Sequence, residues 1–151
     1  MAQSEAVPLT AVMPGRIVAG VVGGLVGGVV FGVLMTMRDM MPMVAQLVGS
    51  DAVGVGWLVH LFNSALFGAI FAVLFGRLAQ SFGPAITIGL VYGVAWWVLG
   101  ALVIMPAWLG MSEMIFQVGQ DQWWSLVGHL LYGLLLGVVF VLLHRRMVSR
   151  R

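Results

Sequence analysis

Two histidines stand in closely similar surroundings, His60 in "HLFNSALFG" and His129 in "HLLYGLLLG". Imidazole is the commonest metal-ligating side chain and exchanges a proton near neutral pH. A second set of candidate ligands lies in "MTMRDMMPM" (35–43), where five of nine residues are methionine. Thioether sulfur suits Cu(I), while imidazole suits copper, zinc and iron. Haem iron takes either His or Met as an axial ligand. His60, His129, Met41 and Met105 therefore form a candidate metal set, for which haem b or copper is the fitting cofactor. Plainer readings compete with it. The imidazoles can bond to backbone or water, or act as a protonation switch, and methionine is a flexible apolar filler.

The elements that must hold these residues are membrane-spanning helices. The chain of 151 residues is 62% hydrophobic and only 8% charged, whereas a soluble domain carries about 25% charged residues. Four apolar stretches, 17–37, 55–75, 85–105 and 123–143, each reach the roughly 20 residues a bilayer crossing needs. The predicted fold class is an all-α membrane protein, with four transmembrane helices in an antiparallel up-down bundle. It divides into an N-terminal tail (1–16), a first hairpin (17–77), a second hairpin (84–146) and a basic tail (147–151). The first stretch is too long for a signal-peptide core, and no small-x-small cleavage site follows it. The absence of cysteine excludes disulfides, thiolate metal sites and cysteine nucleophiles.

Charge sets the expected orientation. Arg16, Arg77, Arg145, Arg146, Arg150 and Arg151 fall on one side, and Arg38 with Asp39, Asp51, Glu113 and Asp121 on the other. That bias places both termini in the cytoplasm and loops 38–54 and 106–122 outside an inner membrane. The arginines sit at helix ends rather than on one patch, which argues against a nucleic-acid partner. The expected partner is the lipid bilayer.

The second half echoes the first. "HLFNSALFGAIFAVLFGR" (60–77) aligns with "HLLYGLLLGVVFVLLHRR" (129–146) at an offset of 69, and "GLVGGVVFGV" (24–33) with "GLVYGVAWWV" (89–98) at an offset of 65. Coincident His, Gly and Arg point to a duplicated two-helix hairpin, whose copies run parallel because each has an even number of spans. Counting back from Arg77 and Arg145 puts His60 and His129 at one depth in the outer leaflet. They lie on diagonal helices of the bundle, with Asn63 and Tyr132 at i+3 as expected partners for the second ring nitrogen.

Gly20, Gly24, Gly28 and Gly32 recur every fourth residue, and Gly89, Gly93 and Gly100 mark the third stretch. Small residues let helix backbones approach in lipid. The pattern suits packing within the bundle or between subunits, or a flat cofactor lying on Gly24, Gly28 and Gly93. Eight of the eleven methionines fall near the outer face. His144 is expected at the interface, Arg38–Asp39 as a local surface pair, and Asp51 and Asp121 as helix caps or water-facing groups. Pro42 and Pro106 suit first turns, Gly49 and Gly119 helix stops, and Trp57, Trp108, Trp123 and Trp124 an outer aromatic belt. No Ser-His-Asp set, HExxH motif or phosphate loop is present, and no carboxylate lies within a span, so no catalytic residues are expected.

From Trp57 to Arg146 the chain resembles the YagU-like family of small bacterial inner-membrane proteins. The resemblance is carried by "HLFNSALFGAIFAVLFG" (60–76), "GLVYGVAWWVLGALVIMPAWLG" (89–110) and "GHLLYG" (128–133). It implies a multi-span protein without settled biochemical activity, linked to acid tolerance, with histidines at the positions of His60 and His129. The methionine cluster is not part of it. The sequence reading is thus a non-catalytic inner-membrane protein with a His/Met site for haem b or copper near the outer face. Its rivals are a packing-only accessory subunit, in a homo-oligomer or larger membrane complex, and a small pH-responsive channel-like protein.

Overall fold

The structure, a computed structural model, describes residues 9–149, with side chains from Pro14 to Met147 and at Ser149. Arg150, Arg151 and residues 1–8 of the N-terminal tail lie outside the described residues. The elements are α1 (Leu9–Met37), α2 (Met41–Gln46), α3 (Val53–Phe75), α4 (Phe82–Trp96), a π-helical continuation of α4 (Trp97–Ile104), α5 (Met105–Trp108), a 3-10 turn (Ser112–Met114) and α6 (Gln120–Val148). Four helical stretches are long and apolar enough to cross a bilayer: Pro14–Met37, Val53–Phe75, Phe82–Trp108 and Gln120–Met147. They match the predicted spans with a few residues added at their ends. The protein is a multi-span α-helical membrane bundle.

The spans alternate in direction. α1 packs closely on both α3 and α6, and α4 packs on α6. α3 and α4 are joined by large side chains instead. Phe67 stacks on Trp96 at 3.8 Å, and the Tyr92 hydroxyl donates to the Phe67 carbonyl at 2.8 Å. Phe71, fully buried, meets Tyr92 from one side and Phe140 from the other.

Glycine explains which seams are tight. In lipid there is little to gain from hiding one apolar surface against another, so close van der Waals approach dominates. α1 has two neighbours and carries two glycine ridges. Gly20, Gly24 and Gly28 face α3, where a Cβ would overlap the Gly68 carbonyl, the Ser64 carbonyl and the Ser64 side chain respectively. Gly23 and Gly27 face Leu136 and Tyr132 of α6. In the second hairpin Gly89 meets Gly133, Gly93 meets His129, and Gly137 meets Ala85. The sequence offsets of 65 and 69 carry Gly20/Gly68 onto Ala85/Gly137, Gly24/Ser64 onto Gly89/Gly133, and Gly28/His60 onto Gly93/His129. The outward side of α1 is left to valine, with Val18, Val22, Val26 and Val33 exposed.

The loop end differs from expectation in several details. Pro42 and Pro106 open α2 and α5 as expected, and Gly49, at φ 76°, follows α2 in the left-handed region that glycine tolerates. Gly119 starts α6 rather than ending a helix, its N–H donating to Gln122 Oε1 at 2.9 Å. Arg38 pairs with Asp121 at 3.1 Å, not with Asp39, and its guanidinium lies over Trp124. Asp51 does not cap α3, whose N-cap is Ala52. It accepts a hydrogen bond from Gln46 Nε2 at 3.0 Å instead. Asp121 lies in the first turn of α6, where the helix dipole favours an anion. Trp108, Trp123 and Trp124 are exposed, as a belt requires. Trp57 is half-buried, its ring packed on Gly32.

Candidate functional site: the imidazole layer

His60 sits on α3 opposite Gly28, where α1 offers a carbonyl with no side chain in front of it. The imidazole is 9% exposed, and its Nε2–H donates to the Gly28 carbonyl at 2.9 Å. A carbonyl only accepts, so the neutral ring carries its proton on Nε2. The Ser64 hydroxyl, one turn further along α3, donates to the His60 carbonyl at 2.7 Å.

His129 occupies the matching place on α6 and behaves differently. Its backbone, not its ring, makes the close approach to Gly93. The ring turns back along its own helix, and Nδ1–H donates to the Ser125 carbonyl at 2.8 Å. In their neutral forms the two imidazoles therefore hold their protons on opposite nitrogens.

Both rings face the interior at a common level, as the spacing from the arginines predicts. What they share is a phenyl ring. Phe31 of α1, 6% exposed, packs edge to face on His60 at 5.2 Å and on His129 at 4.7 Å. Gly128 makes room for it, since a Cβ there would overlap the Phe31 ring.

This geometry corrects the expected ligand site. His60 Nε2 is committed to Gly28, and Phe31 packs against both rings where a shared ion or porphyrin would need space. Gly24, Gly28 and Gly93 form no cofactor slot, because Ser64 and His129 already fill those faces. Met41 is buried in α2 with its carbonyl against Gly56, and Met105 is half-buried at the start of α5. Both serve the packing of the short loop-end helices. Among the described residues, no group of three or more His, Cys, Asp or Glu is placed to hold a metal. Neither i+3 residue orients its histidine: His60 bonds to Gly28 rather than Asn63, and His129 to Ser125 rather than Tyr132. The Tyr132 hydroxyl crosses the bundle and donates to the Ser64 carbonyl at 2.8 Å. His144 is 7% exposed and stacks on Phe140 at 5.7 Å, so it is packed against the bundle near the end of α6.

The residue that sequence reasoning missed is Phe31. Its signal was present: it continues the Gly23–Gly27 ridge by one more turn, and Gly128 precedes His129. Together with Thr36, whose hydroxyl donates to the Gly32 carbonyl at 2.9 Å, the polar side chains His60, Ser64, Tyr92, Tyr132 and His129 all donate to backbone carbonyls. Such bonds satisfy the polar groups of a span internally, as a hydrocarbon surrounding requires. Comparison with protein-family models, curated proteins and solved structures found no match to this chain.

Proposed function

We propose that this membrane protein is a non-catalytic accessory component of a larger inner-membrane assembly, acting through its packed helical surface. The observation that carries the reading is the His60–Gly28 bond. The most chemically capable side chain of the spans is spent holding α3 to α1. Ser64, Tyr92, Tyr132 and His129 are used in the same way, on carbonyls of the bundle itself.

The proposal includes cytoplasmic termini, supported by arginines at that end against a mixed outer end. It includes descent from a duplicated hairpin, supported by the shared register of the two glycine crossings. It also includes kinship with the YagU-like proteins, supported by the residues from Trp57 to Arg146. Gentle solubilisation of native membranes followed by sizing tests it. Co-purification with larger membrane partners in fixed ratio is the expected result. A monodisperse lone monomer at every detergent strength would overturn the accessory role.

A further inference from the structure

The one asparagine of the chain, Asn63, stands in the middle of a membrane span. Ten residues of α3 precede it and twelve follow. At the helical rise per residue, that leaves about 15 Å of hydrocarbon on either side. The polar side chains around it are already engaged. His60 bonds to the Gly28 carbonyl, Ser64 to the His60 carbonyl and Tyr132 to the Ser64 carbonyl. The half-buried Asn63 amide makes no hydrogen bond among the described residues. At this depth neither water nor a lipid ester meets it, and an unmet amide in hydrocarbon is costly.

The face that carries Asn63 is regular. Val59, Asn63, Leu66, Ile70 and Val73 follow one another at spacings of four, three, four and three, the repeat of a left-handed helix pair. Leu66 and Val73 are 44% and 52% exposed, and Val59, Asn63 and Ile70 are half-buried. Among the spans, α3 packs closely on α1 alone, through the different face that holds Ser64 and Gly68. Its link to α4 runs through the Phe67 and Phe71 rings.

A carboxamide both donates and accepts, so an identical group is its reciprocal partner. Copies of one membrane protein insert in one orientation. The α3 helices of two copies therefore run parallel, and their Asn63 residues meet at one depth. A single asparagine in an apolar heptad stripe fixes the register of such a pair, and asparagine hydrogen-bonds across helices in lipid.

We propose that the stripe of α3 from Val59 to Val73 is a homodimer interface, in which the Asn63 amides of two copies hydrogen-bond to each other across a two-fold axis along the membrane normal. This goes beyond the accessory role, because a second copy satisfies Asn63 whether or not larger partners join.

The test uses the purified full chain in proteoliposomes. The chain contains no cysteine, so single introduced thiols report proximity without background. Leu66→Cys, on the stripe, is expected to cross-link into a covalent dimer on mild oxidation. Val26→Cys, exposed on α1, should stay monomeric. Energy transfer between donor- and acceptor-labelled copies, followed as added lipid dilutes the protein, measures the dimer's stability. Asn63→Val should weaken it about tenfold and leave the thermal unfolding of the bundle unchanged, because no bond within the chain is lost. Asn63→Gln, which keeps the amide, should retain most of the association. Equal cross-linking at positions 66 and 26, association unaffected by Asn63→Val, or a monomer at every protein-to-lipid ratio would overturn the proposal. So would earlier unfolding of Asn63→Val, which would show the amide serving its own bundle. Cross-linking of Leu66→Cys to a different chain in native membranes, with none in proteoliposomes, would assign the stripe to another protein's helix and overturn the second copy.

Discussion

The hairpins α1–α3 and α4–α6 cross in the same register and then part company toward the loop end. In the first, Gly32 continues the glycine ridge and receives the Trp57 ring. His60 can then reach across to the Gly28 carbonyl. In the second, the position matching Gly32 at an offset of 65 is Trp97. An indole cannot sit between touching backbones, and the helix widens into a π-helix from that residue to Ile104. π-Helical turns are rare and mark inserted or strained positions. Trp97 instead stacks near Trp123, and its Nε1–H donates to the Gln122 carbonyl at 2.9 Å. The loop contributes as well, with the Phe116 N–H donating to the Leu102 carbonyl at 3.1 Å. The hairpins thus differ both at this position and in the histidine nitrogen that bonds. Beside the continued ridge the bond runs between helices, and beside the interrupted one it stays local.

The largest effects should come from filling the crossings. Gly68→Leu and Gly133→Leu both drive a side chain into a facing backbone carbonyl. Overpacking usually costs about 1–3 kcal/mol, and here no flexible side chain can yield. Loss of a monodisperse bundle on sizing and circular dichroism is expected for both, whereas Gly54→Ala, with open space at its Cβ, should melt as wild type. A folded Gly133→Leu protein beside an unfolded Gly68→Leu protein would show that only the first crossing is essential.

The histidines should separate next. His60→Ala removes a bond between helices and opens a gap beside Phe31 and Trp57. Leaving a buried partner unmet costs about 1–3 kcal/mol. His129→Ala removes a bond within one helix and should cost less in the same denaturant titration. Equal losses would break the contrast between the hairpins.

Smaller again are the tyrosine hydroxyls. Tyr132→Phe and Tyr92→Phe each delete one bond to a backbone carbonyl, and such bonds in membrane proteins average about 0.6 kcal/mol. Tyr132→Phe should show the larger loss, since the bond to Ser64 is the more buried. Arg38→Gln comes last, because an exposed ion pair contributes about 0–1 kcal/mol and fades with salt. Unfolding at low and high ionic strength would measure it.

Much of this was legible in the chain. Four long apolar runs leave little choice but four spans, and the glycine spacing marked the faces along which they touch. The arginines near the helix ends gave the depth of both histidines. Three things were not legible. Which ring nitrogen bonds depends on the ångström-scale closeness of Gly28 and Gly93 to their partners. Arg38 found Asp121 across 83 residues of sequence rather than its neighbour Asp39, because only the folded bundle brings those ends together. The methionine run looked like a ligand set because soft sulfur and apolar filler share one side chain. Burial of Met35 and Met41 in the core shows their packing role.

The most direct test of the imidazole layer is the nitrogen-15 spectrum of the two rings in lipid. His60 should be neutral with its proton fixed on Nε2, His129 neutral with its proton on Nδ1, and neither should shift when Cu(I) or haem is added. Matching tautomers in the two rings, or a paired shift on adding either cofactor, would contradict a structural role and restore a shared ligand site.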